Sequence, residues 1–208
     1  MNDLGNGEPF EMLIHAGELD NLAGWAVENR FREVGGELFG IWTDNGSAAV
    51  QLVLGPGRAD RREIAARYGM RYLGVWHSRG AWGTAVPADD DIDTTRRVFE
   101  TALFSRFIIA RVTLATTDSE DLPISPLRFS GTKYRTIVDI AAFLVERDHP
   151  NFRESHWVVL PDISPLAAAA RTAGIADTPT RPLKNWRVTA ADGVIMLPRN
   201  GIGCPDGE

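Results

Sequence analysis

The sequence predicts an α/β or α+β domain, a mixed β-sheet flanked by helices. Two observations carry this. Segments with apolar residues at helical spacing alternate with short β-branched runs, and clusters of Gly, Pro, Asn and Asp separate them. The composition agrees, since 44% apolar and 24% charged residues over 208 positions can bury one core.

In chain order, residues 18–30 read as a helix. Leu19, Leu22, Ala23, Ala26 and Val27 share one face, and Gly35-Gly36 closes the segment. Strands follow at residues 38–43 and 48–54. They are joined through Asp44-Asn45-Gly46, whose residues tolerate positive φ, and the second ends at Gly55-Pro56-Gly57. A short charged helix covers 60–68 and an aromatic, β-branched strand covers 71–78. After a loop at 79–87, Asp89, Asp90 and Asp91 open a helix of some sixteen residues, because carboxylates favour the positive end of the helix dipole. Residues 107–115 read as a central strand. Ile137, Ile140, Ala141 and Leu144 then predict a helix at 134–146. A strand at 156–160, a helix at 165–172 opened by Pro165, and a late hairpin of 186–189 with 194–197 complete the elements. Met12-Leu13-Ile14-His15 is an apolar segment, and residues 123–130 are the best place for a hinge. One domain is expected over 10–200, with a core at 18–115, an extension at 116–200 and flexible termini at 1–9 and 201–208.

Charge and cysteine usage narrow the function. Twenty-two basic residues against 28 acidic ones give a net charge of −6. No basic stripe stands ready to neutralise phosphate, so nucleic acid is not an expected partner. No apolar run reaches membrane-span length, and residues 1–8 lack the pattern of a secretory signal, so a cytoplasmic protein with no membrane partner is expected. The single cysteine, Cys204, permits neither an internal disulfide nor a cysteine-built zinc site.

Polar groups concentrate at His77-Ser78-Arg79, the end of an apolar strand, with the three aspartates at the next helix start. That arrangement suits a pocket, but a surface loop with a solvated aspartate cap is the commoner outcome for a lone histidine beside an aspartate run. His15, His149 and His156 read as packing or solvated histidines. Cys204 lies in a glycine-containing tail, a poor setting for a catalytic thiol. Trp25, Trp42, Trp157 and Trp186 read as packing, while Trp82, within the loop, is a candidate groove contact.

Glu33-Val34-Gly35-Gly36-Glu37-Leu38-Phe39-Gly40, then Gly55-Pro56-Gly57, then Tyr72-Leu73-Gly74-Val75-Trp76-His77-Ser78 resembles the JAMM/MPN (JAB) family of zinc isopeptidases, bacterial type. The resemblance implies a three-layer, cytidine-deaminase-like arrangement. It implies Glu33 as general acid/base, His77 as the first zinc histidine, and Asp91 or Asp90 as the aspartate ligand. Arg79 stands where that family has its second histidine, and the family's serine is absent.

A catalytic zinc generally wants three protein ligands, and a guanidinium cannot coordinate. The expectation is therefore a pseudoenzyme of this family without tight zinc, binding a protein or peptide tail, ubiquitin-like in kind, through Arg79, Trp82 and Ser78. The alternative is an active zinc isopeptidase or metallopeptidase. No cofactor is expected in the first case and zinc in the second, and self-association is a further expectation. Arg79 either pairs with Asp90 or Asp91 or forks onto a substrate carboxylate, and the sequence does not separate the two.

Overall fold

The computed structural model of the protein describes residues 10–57, 61–79, 89–101, 104–116, 127–131, 136–180, 187–190 and 195–196. The elements run β1 (Phe10–His15), α1 (Ala16–Glu28), β2 (Val34–Trp42), β3 (Ala48–Leu54), α2 (Arg61–Tyr68), β4 (Arg71–Arg79) and α3 (Asp89–Thr101). They continue with β5 (Arg106–Thr116), β6 (Leu127–Gly131), β7 (Thr136–Glu146), β8 (His149–Leu160), α4 (Pro165–Thr172), β9 (Arg187–Ala190) and β10 (Ile195–Met196).

The β2–β3 turn forms as its residues require. Gly46 takes φ 86°, and Asn45 Oδ1 accepts the Ser47 N–H at 3.2 Å. Pro165 opens α4 behind Ser164, whose hydroxyl accepts the Ala167 N–H.

Strand pairing runs around a closed circuit, β1–β3–β2–β4–β5–β7–β8 and back to β1. Strands β6 and β9 continue from β7, and β10 adds to β8. The fold is α+β with a closed seven-stranded barrel as its core, flanked by helices. Closure leaves no free edge within the circuit. One apolar cluster joins Leu19, Leu22, Ala23 and Ala26 of α1 to Met12, Ile14, Val50, Ile108, Ala110, Ile140 and Trp157. A second joins Phe39, Leu52 and Leu54 to Ile64 of α2 and to Ala167 and Ala170 of α4. Val50 of β3 serves the first cluster and Leu52 the second although they lie two residues apart, because the β2–β3 register shifts between Phe39 and Gly40 and the bulge turns the strand between them.

The open three-layer, cytidine-deaminase-like arrangement expected from the JAMM/MPN resemblance is therefore corrected, and the cause is β7. Its residues were expected to be helical, yet they pair with β5 along their whole length and with β8 on the other side. Val138, Ile140, Ala142 and Leu144 enter the α1 cluster, while Ala141 and Phe143 pack against Phe152. Every residue from 138 to 145 is buried. A run that is apolar on both faces shows helical spacing by coincidence, and its β-branched content decides the outcome.

β1 is likewise a central strand, between β3 and β8. The expected late hairpin does not form, since β9 pairs with β6 and β10 with β8. Residues 127–130 of the expected hinge belong to strand β6, and residues 123–126 lie outside the described residues. Among the described residues, no helix is long and apolar enough to cross a membrane.

Candidate functional site

Strands β4 and β5 run parallel, and their register sets His77 beside Arg111 and Ser78 beside Val112. Residues paired across a parallel ladder point to the same face, so the imidazole and the guanidinium share one side of the barrel wall. The crossover from β4 to β5 passes through α3, whose first turn brings Asp91 to that side. Asp91 Oδ2 accepts a hydrogen bond from Arg111 Nη1 at 3.1 Å, and Asp91 Oδ1 lies 3.3 Å from His77 Nε2. The latter contact has ion-pair distance but not hydrogen-bond alignment. Asp91 is 2% exposed and Arg111 1%, while the His77 side chain keeps 18% of its surface. The cluster is therefore a wall of buried charge with an imidazole at its opening.

Burial pulls the His77 pKa below its ordinary value. Arg111 and Arg79 push in the same direction, against Asp91 and Glu33, which favour the charged ring. Burial also lowers the Arg111 pKa, opposed by Asp91, and a guanidinium so placed remains charged. At neutral pH the site therefore holds a neutral imidazole beside a carboxylate–guanidinium pair. The carboxylate facing Nε2 favours the tautomer with its proton there, which leaves the lone pair on Nδ1.

The other expected site residues fall into distinct places. Glu33 is exposed, in the turn before β2, and reaches His77 through its field alone. Ser78 is 1% exposed, and its Oγ accepts the Val34 N–H at 3.3 Å, which ties β4 to the start of β2. Arg79 donates to Asp90 in a half-exposed ion pair. A slight burial cost to the Asp90 carboxyl is outweighed by that bond, so its pKa falls. Of the two pairings the sequence left open for Arg79, the one with Asp90 forms. Trp82 lies outside the described residues. Arg111 was missed, although an arginine inside the apolar, β-branched run at 107–115 is itself a signal. A buried cation on a central strand must have a partner.

Among the described residues, no group of three or more His, Cys, Asp or Glu side chains is placed to hold a metal ion. His77 and Asp91 make two donors, and the Asp91 carboxylate is shared with the Arg111 cation. The donor set does not fit a tight divalent ion.

No protein-family model matches the sequence, and no curated protein matches it. Two solution structures of bacterial proteins are similar at low identity. One, from Desulfitobacterium hafniense, is 14% identical, covers 73% of this chain and 94% of its own, and has a TM-score of 0.46. The other, from Salinibacter ruber, is 17% identical, covers 84% and 97%, and scores 0.41. The barrel, the donor set and the lack of a family match together correct the JAMM/MPN reading, both as a zinc-poor pseudoenzyme binding a tail and as an active isopeptidase.

Proposed function

We propose that the β4–α3 corner is an acid–base catalytic site of the hydrolytic type, with His77 as the general base. The observation that carries this reading is the series His77 Nε2, Asp91 and Arg111, at 3.3 and 3.1 Å, with only the imidazole reaching the surface. Asp91 orients the ring, and Arg111 holds Asp91 in place through its hydrogen bond to Oδ2. Nδ1 then takes a proton from a water attacking a substrate carbonyl and returns it to the leaving group, so the imidazole ends each cycle neutral. Arg79, paired with a half-exposed Asp90 among the described residues, can exchange that partner for an anionic group on the substrate. Glu33 adds negative potential that steadies the transient imidazolium.

The test is a panel of p-nitrophenyl esters of increasing acyl length, with wild type, His77→Ala and Asp91→Asn. Turnover above buffer should fall about a hundredfold in His77→Ala at unchanged fold. It should rise with pH to a plateau, with its inflection below 6.5, the ordinary imidazole value. A panel with no turnover, or turnover indifferent to His77→Ala, would overturn the proposal.

A further inference from the structure

A second site lies away from the His77 face. A cleft of about 940 Å3 opens between the last turn of α1, the Gly55-Pro56-Gly57 turn and residues 177–180. That volume is at the upper end of the range for small-molecule sites.

Its walls meet only because glycines line them. A Cβ at Gly24 would sit 2.7 Å from Pro179 Cγ, and one at Gly55 would sit 2.4 Å from Trp25 Cε2. Trp25 itself is 4% exposed and stacks on Trp76 at 5.9 Å. The floor is thus a fixed aromatic surface.

The lip is different in kind. Phe31 is 90% exposed, the largest exposure of any large apolar residue among those described. The Arg30 guanidinium lies over its ring at 4.7 Å from the centroid. Next along the chain, Arg32 donates Nε and Nη2 to Asn29 Oδ1 at 2.8 and 2.6 Å, which fixes the plane of its fork. Glu28 and Asp177 also line the cleft, so its formal charge balances and charge alone does not choose a ligand. Placement does. Arg30 covers one face of the Phe31 ring and the rest of that ring is open, so a planar ring laid against the open face or edge lies beside the two guanidiniums that flank Phe31 in the chain.

We infer that this cleft binds a small aromatic anion, its ring stacked on Phe31 and its carboxylate or phosphate held by Arg30 and Arg32. Stacking and charge pairing then act together, the combination that Arg with an aromatic neighbour supplies to planar anions. The inference stands without the acid–base reading of His77.

Isothermal titration calorimetry with three probes tests it: 1-naphthoate, 1-naphthylmethylammonium and decahydronaphthalene-1-carboxylate, the ring-saturated counterpart of the first. Naphthoate should bind one site per chain, and the cationic and ring-saturated probes should each bind at least about tenfold more weakly. Phe31→Ala and Arg30→Ala, both at exposed positions, should each weaken naphthoate by about tenfold with an unchanged melting temperature. His77→Ala should leave its affinity as it is. Equal or tighter binding of the cation, equal binding of the ring-saturated acid, indifference to Phe31→Ala, or sensitivity to His77→Ala would each overturn the inference. So would the absence of any binding up to about 10 mM.

Discussion

Replacing Arg171 by alanine should destabilise the whole domain, although Arg171 lies on α4, remote in sequence from its partner. Glu18 of α1 is fully buried. Its two oxygens accept Arg171 Nη1 and Nη2 at 2.7 Å each, and Oε2 also accepts the Val53 N–H at 2.8 Å. The carboxylate therefore ties α1, β3 and α4 together at one point. Arg171→Ala removes two charge-assisted bonds and leaves the anion buried with the Val53 amide. Breaking a buried pair from one side costs about 3–5 kcal/mol. In a chain of this length each kcal/mol lowers the melting temperature by roughly 2–4 °C, so a fall of roughly 10 °C is expected. Circular dichroism melts of wild type and variant measure it, with urea titration as the second probe. A fall of less than about 2 °C would refute the reasoning, because it would place the pair among surface bridges worth under about 1 kcal/mol.

Three further outcomes follow from other contacts. Arg79→Ala should cost less than about 1 kcal/mol in urea titration, because Asp90 is 57% exposed and water replaces the lost partner. Gly74→Ala should cost about 3 kcal/mol or more in the same assay, since its Cβ would lie 1.9 Å from the Ile108 carbonyl oxygen where β4 meets β5. Stability should also fall on acidification. With the His77 pKa lowered in the fold, the unfolded chain protonates first, so this group's contribution is intact above 6.5 and declines as pH drops toward the folded value. His77→Gln should flatten the stability profile across that window relative to wild type, as read by melts at stepped pH.

Local signals made much of this fold legible, while the signal for closure was ambiguous. α1, β3, α2, β4 and α4 follow their caps, turns and periodicity, and β3 and α4 begin and end where the sequence places them. β7 was not legible. Its spacing satisfies a helix, and only burial on both faces, a tertiary fact, makes it the strand that closes the barrel. β1 was hidden for a related reason, since six residues between β3 and β8 carry too little pattern to announce a central strand. At the site, His77 and Asp91 were found because polar groups at a strand end and a helix start stand out against apolar neighbours. Their connection through Arg111 required the β4–β5 register, which no local pattern encodes. The JAMM/MPN resemblance rested on short glycine-containing pieces in order, and such pieces report turns and close strand approach as readily as ancestry. Gly36 illustrates this, since a Cβ there would lie 2.0 Å from the Leu54 carbonyl oxygen.

The claim that His77 is a neutral base held by Asp91 and Arg111 is tested most directly by titrating its ring resonances by NMR, assigned by comparison with His77→Gln. The account predicts a midpoint below 6.5, with Nδ1 unprotonated at neutral pH, and a further downward shift in Asp91→Asn, where the favourable carboxylate is removed while burial and Arg111 remain. A midpoint at or above 6.5, or one unmoved by Asp91→Asn, would contradict it.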